Sequence, residues 1–191
     1  MMEGEWMSRD TFLDYSKQSS IPPLLRLLLL FDGTVTHFLE AFFLETIGFE
    51  LKAQSDIVIS DEDAIRLSLP KGEKGIKRQG WLTLKGGPKV LHVDSILPTS
   101  RLTPPFHQEV LLGQKALGQI MHDQGLLFRR DHIEIGRFSP PRMMCGYGSP
   151  SDQPILARRY RLTLSGEGSM LIFEAISAEM IDFMINNNKN V

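Results

Sequence analysis

Two charged residues stand where the pattern around them is apolar. Side chains alternate across a strand, so residues 76–84 put Ile76, Arg78, Gly80, Leu82 and Leu84 on one face and Lys77, Gln79, Trp81 and Thr83 on the other. The same count near the end of the chain places Glu174 in phase with Met170, Ile172 and Ile176, with Leu171, Phe173 and Ala175 opposite. A buried charge without a partner is costly, so each of these groups must have something to bind. Two readings follow. Arg78 and Glu174 pair with one another or with nearby side chains as structural ions, or they line a ligand pocket cut into a sheet. Gly80, on the same face as Arg78, is expected to leave open space beside the guanidinium.

Other polar residues offer less. In the basic run Arg158, Arg159 and Arg161, Arg158 shares a face with Tyr160, Leu162 and Leu164, while Arg159 and Arg161 are expected to face solvent. His37, His92, His107, His122 and His132 show no pair at metal-ligand spacing supported by a third ligand, so no metal is expected. Ser165-Gly166 and Gly146-Tyr147-Gly148 are too short for a phosphate loop or a nucleophile elbow and read as turns.

The elements that must carry these residues are legible from periodicity and punctuation. Pro22-Pro23 ends what precedes it and opens a helix running to about Phe31. Asp32-Gly33 breaks that helix, and Thr34 or Thr36 can cap a second one bearing Phe38, Phe42, Phe43 and Leu44. Strand character follows at 49–59, 76–84, 90–97, 126–135, 156–164 and 169–176, with a helical stretch at 106–122 broken at Gly113. The glycine-bearing links at 85–88 and 165–168 read as hairpin turns, which join antiparallel neighbours. The expected class is α+β: one mostly antiparallel sheet of about six strands with helices on one side. Residues 139–154, with four prolines and two glycines, form the longest irregular segment and a candidate lid.

The chain's 191 residues, 42% of them hydrophobic, fit a single domain over 1–191, with 1–21 an N-terminal extension. The 21 basic and 23 acidic side chains nearly cancel, which leaves no global field for nucleic acid or an anionic membrane. Glu3, Glu5 and Asp10 precede any apolar run, unlike an export signal, and the apolar run at 24–31 is far shorter than the ~20 residues of a membrane span. A single cysteine, Cys145, excludes an internal disulfide. The expected compartment is the cytoplasm.

Four segments together resemble the chorismate lyase family, in its order. Arg130-Asp131-His132-Ile133-Glu134-Ile135-Gly136-Arg137 is the most specific, followed by Arg158-Arg159-Tyr160-Arg161-Leu162-Thr163-Leu164-Ser165-Gly166 and the glutamate-bearing strand after it. Lys115-Ala116-Leu117-Gly118 and the junction from Leu28 to Asp32 with Val35-Thr36 complete the likeness, which covers about residues 24–176. The resemblance implies a cofactor-free enzyme that converts chorismate to 4-hydroxybenzoate and pyruvate. It implies that Arg78 binds the ring carboxylate together with the Leu117 backbone N–H, that Glu174 meets the ring hydroxyl, and that Val35 and Arg158 belong to the binding site. The expected partners are therefore small molecules, substrate and product. One departure stands at Val93-Asp94, where well-known members carry Gly-Arg; Arg158 or Arg137 is then the candidate partner for the second substrate carboxylate. The rival reading is a small-molecule-binding domain of the same fold, as in effector domains of bacterial transcription regulators. Those carry a winged helix-turn-helix first, and about twenty residues before Pro22 are too few for one.

Overall fold

The Pro22-Pro23 step does what its chemistry requires: Pro23 opens a helix at the position where a missing N–H costs nothing. In the computed structural model, which describes residues 5–19, 21–85, 87–138, 155–165 and 168–187, that helix is α2 (Pro23–Leu30). Strand β1 (Glu5–Ser8) and helix α1 (Arg9–Gln18) precede it; α3 (Val35–Phe43), β2 (Ile47–Val58) and α4 (Asp61–Leu67) follow. Then come β3 (Lys74–Leu84), β4 (Lys89–Pro98), α5 (Pro104–Leu112), α6 (Leu117–Asp123), β5 (Phe128–Phe138), β6 (Ile155–Leu164), β7 (Ser169–Ile176) and α7 (Ala178–Asn187).

All seven strands form one sheet in the order β1-β5-β6-β7-β4-β3-β2, and every neighbouring pair is antiparallel. The class is α+β, as the sequence indicates. The six anticipated strands are present; the seventh, β1, comes from the N-terminal extension. Its Trp6 and Met7 align with Gly136 and Ile135, so the extension closes the β5 edge of the sheet. Helix α1 is then started by Ser8, whose side chain accepts from the Thr11 N–H.

One sheet face, the near face, carries two apolar clusters. The first joins α1, α2, α3 and α7 to Leu82, Leu91, Leu156 and Ile176. The second joins α5 and α6 to Ile76, Leu97, Tyr160, Leu162 and Ile172. Val93 and Ile133 border both clusters. Helix α4 lies on the opposite face, packing Ala64 and Leu67 against Leu171 and Ile96. Among the described residues no helix is long and apolar enough to cross a membrane. The expected lid at 139–154 lies outside the described residues.

Candidate functional site

Where the two near-face clusters meet, the sheet and the starts of two helices enclose a cavity of about 60 Å³. Its floor is Arg78, Val93, Ser95, Tyr160, Ile172 and Glu174 from the central strands. Its walls come from Thr34, Val35 and Thr36 at the start of α3, and from Ala116, Leu117 and Gly118 at the start of α6. Phe49 and Arg130 line it as well, with Leu82, Met121 and Leu162. A Cβ on Gly118 would lie 3.1 Å from Thr34 Cγ2 and 3.4 Å from Thr36 Oγ1, so glycine lets the two helix starts approach closely. Thr34 and Ala116, the N-caps, make no side-chain cap bond, and alanine cannot supply one. The first backbone N–H groups of both helices have no partner within their own helix.

Arg78 and Glu174 are both buried, at 2% and 6% exposure, and both line this cavity. They do not pair with each other. Glu174 Oε2 accepts from Arg158 Nε at 2.5 Å, and its Oε1 accepts from the Tyr160 hydroxyl at 3.0 Å. Arg158 and Glu174 are register partners on β6 and β7. The other side of the Arg158 guanidinium donates through NH1 to the carbonyls of Leu28, Leu29 and Phe31, capping the negative end of α2. Burial pulls the Arg158 guanidinium down, but Glu174 foremost, together with Tyr160 and Asp32, holds it above its ordinary value. Burial first, then Glu174, pushes the Tyr160 phenol up to about 12, so it stays a proton donor at neutral pH.

Arg78 is electrostatically different. Its NH2 donates to the Lys115 carbonyl at 2.5 Å and its guanidinium lies 4.4 Å from the centre of the Phe49 ring. Its Nε is buried with no partner, and no carboxylate is bonded to it among the described residues. Burial pulls it down to about 10, still charged at neutral pH. The space expected beside Gly80 is occupied: a Cβ there would sit 2.5 Å from the Phe49 ring, so the glycine admits the aromatic ring that stacks on Arg78 rather than leaving a void.

Among the positions expected to contribute, Arg78, Glu174, Leu117 and Val35 converge on the cavity. Arg158 stands beside it, with Nε on the Glu174 carboxylate and NH1 on the carbonyls at the end of α2, while its NH2 is buried without a partner. Arg137 is exposed on β5. Asp94 faces away, bonded to Gln79 Nε2 at 3.0 Å and lining a hollow on the other sheet face, so its charge does not bear on the cavity. Arg159, expected in solvent, is half-buried against Glu134 and the Trp6 ring. Arg130 and Tyr160 line the cavity although neither was assigned to the site from the sequence, where Arg130 stands only as the first residue of the most specific motif. For Tyr160 the signal was present: it shares a face with Arg158 and is two positions along it.

Two larger hollows of about 420 and 570 Å³ open on the opposite face. There Arg66 and Arg159 share Glu134, and Arg161 meets Asp131, so each of these arginines has a carboxylate beside it. No group of three or more metal-ligating side chains occurs among the described residues.

The model of the family described as "Chorismate pyruvate-lyase Rv2949c-like" matches residues 29–184. The chain belongs to this family. The matched span runs from α2 into α7 and contains every cavity residue. No curated protein sequence matches significantly. Several solved structures share the family member's fold. The effector domain of PhnF from Mycobacterium smegmatis superposes with a TM-score of 0.63 at 19% identity, over 77% of this chain and 90% of that one. PhnF from the same organism gives 0.61 at 17% identity, over 74% of this chain but 62% of that longer chain. A GntR-family transcriptional regulator from Bacillus cereus gives 0.53 at 11% identity, over 70% and 92%. At these identities the likeness is one of fold.

Proposed function

We propose that the cavity is the active site of a chorismate lyase, which cuts the enolpyruvyl ether of chorismate to give 4-hydroxybenzoate and pyruvate. The observation that carries this is Arg78: a buried guanidinium without a carboxylate, in the same cavity as a carboxylate–tyrosine pair. A protein of a chorismate pyruvate-lyase family that keeps an uncompensated cation in its core has a use for an anion there. The ring carboxylate takes the free edge of Arg78 and the Leu117 N–H. The 4-hydroxyl donates to Glu174, which has lone pairs left beyond those used by Arg158 and Tyr160.

Loss of the C4 hydrogen as a proton while the C3–oxygen bond breaks leaves an aromatic ring and enolpyruvate, which takes up a proton to become pyruvate. Aromatisation drives the step. The residues hold the reactive conformer, and Glu174, kept in place by Arg158 and Tyr160, positions C4 for proton loss. The reading includes a single-domain, cytoplasmic enzyme supplying a ring precursor for quinones.

Its test separates the two roles. Arg78→Met should weaken both chorismate and 4-hydroxybenzoate binding. Glu174→Gln should cut turnover by about 100-fold or more while product affinity changes by less than about tenfold. Steady-state kinetics and product titration on folded variants read both effects. Unchanged turnover in Glu174→Gln would remove the glutamate from the chemistry.

A further inference from the structure

We propose that Arg130 is a second carboxylate-binding residue, so that the cavity is built for a ligand bearing two separated negative charges; this deepens the lyase reading and rests on it. The Arg130 side chain is only 3% exposed and lines the same cavity as Arg78. Its guanidinium lies 4.8 Å from the Phe128 ring centre and 5.0 Å from that of Tyr160, and its Nε is buried without a partner. The nearest carboxylate oxygen is Asp32 Oδ1 at 3.8 Å, on a side chain 74% exposed, so that pairing is long and water-screened.

Two tethers keep the cations apart. Arg78 is bonded to the Lys115 carbonyl in the link between α5 and α6, whereas Arg130 donates to the Asp32 carbonyl at 2.6 Å in the link between α2 and α3. Arg158 and Glu174 cancel one another, which leaves these two guanidiniums as the unbalanced charge of the cavity. A ring carboxylate on Arg78 leaves Arg130 for the carboxylate of a side arm, displacing the loose Asp32. The start of α3 at Thr34, Val35 and Thr36, which has no side-chain cap, lines the same wall.

The test compares 4-hydroxybenzoate, which has one carboxylate, with 3-(1-carboxyvinyloxy)benzoate, which has two and is already aromatic, so it cannot eliminate. Calorimetric titration should show Arg130→Gln weakening the dianion roughly 10- to 100-fold. The same variant should leave 4-hydroxybenzoate within about threefold. Arg130→Lys should restore part of the dianion affinity. Asp32→Ala keeps Arg130 intact and should tighten the dianion roughly two- to fivefold, without effect on 4-hydroxybenzoate. Equal losses for both ligands in Arg130→Gln, or an unchanged ratio in all variants, would make Arg130 a structural tie of the α2–α3 link and overturn the inference alone. A wild-type protein that binds 4-hydroxybenzoate but not the dianion also overturns it; one that binds neither ligand overturns the proposed function as well.

Discussion

Arg78 is a residue whose location opposes folding. Its depressed proton affinity means that burying the charge costs about 3 kcal/mol, offset in part by the Lys115 carbonyl and the Phe49 ring. Replacing it by methionine, of similar length, should therefore leave the fold as stable or up to about 3 kcal/mol more stable, while binding of an aromatic carboxylate is lost. Titration by pH should do the same reversibly. Unfolding above pH about 10 takes up a proton at Arg78, because the unfolded chain holds it more tightly, so this group adds stability as pH rises from about 10 toward its ordinary value. Binding has the opposite sign: benzoate affinity should be flat from neutral pH to about 9 and fall tenfold per unit above about 10. Thermal melts and benzoate titrations check both; a destabilised Arg78→Met protein that still binds benzoate would make Arg78 structural. The two core-phase charges were legible because alternation survives along β3 and β7. Their partners were not counted, although the β6–β7 register that sets Thr163 opposite Ser169 also sets Arg158 opposite Glu174.

At the scale of elements, β5 explains why Arg130 was missed. In an unbroken strand Arg130 falls in phase with His132, Glu134 and Gly136, opposite the apolar Ile133 and Ile135, and reads as solvent-facing. The register slips between Asp131 and Glu134, where His132 takes a left-handed φ of 54°. This extra residue shifts the phase, so Arg130 shares a face with Ile133 and Ile135. A polar residue with positive φ leaves little trace in a hydrophobic pattern. The N-terminal extension was opaque for a similar reason: β1 has four residues, too few to establish alternation. Gly80 shows the converse, a glycine that was visible but whose neighbour across the ladder decided its meaning. Gly80→Ala should force Phe49 off Arg78, since the added carbon also meets the Glu50 carbonyl at 2.8 Å. We expect a loss of about 1–3 kcal/mol in stability and weaker benzoate binding, read by denaturant melts and titration. Full stability with unchanged binding would mean that the stacking of Phe49 on Arg78 contributes nothing.

On the scale of the whole molecule, the sheet separates two kinds of surface. The near face, under α2, α3, α5 and α6, holds Arg78 and Arg130 in an apolar enclosure; the far face holds arginines that each have a carboxylate beside them, beneath α4 and beside Trp6. The α+β class and the strand series were legible because hairpin punctuation and strand periodicity agree along most of the chain. The cavity was not, because it forms where residues from β2 to β7 meet two helix starts, and only tertiary packing brings those together. The fold by itself does not decide between a binding domain and an enzyme. The measurement that decides between them is chorismate incubated with the purified protein in the absence of added metal and nucleotide, with 4-hydroxybenzoate and pyruvate quantified over time and Arg78→Met run alongside. Equal amounts of both products, formed over many turnovers by the wild-type protein and lost in the variant, are expected. Chorismate that binds saturably and is recovered intact would contradict the lyase reading and leave a ligand-binding domain in its place.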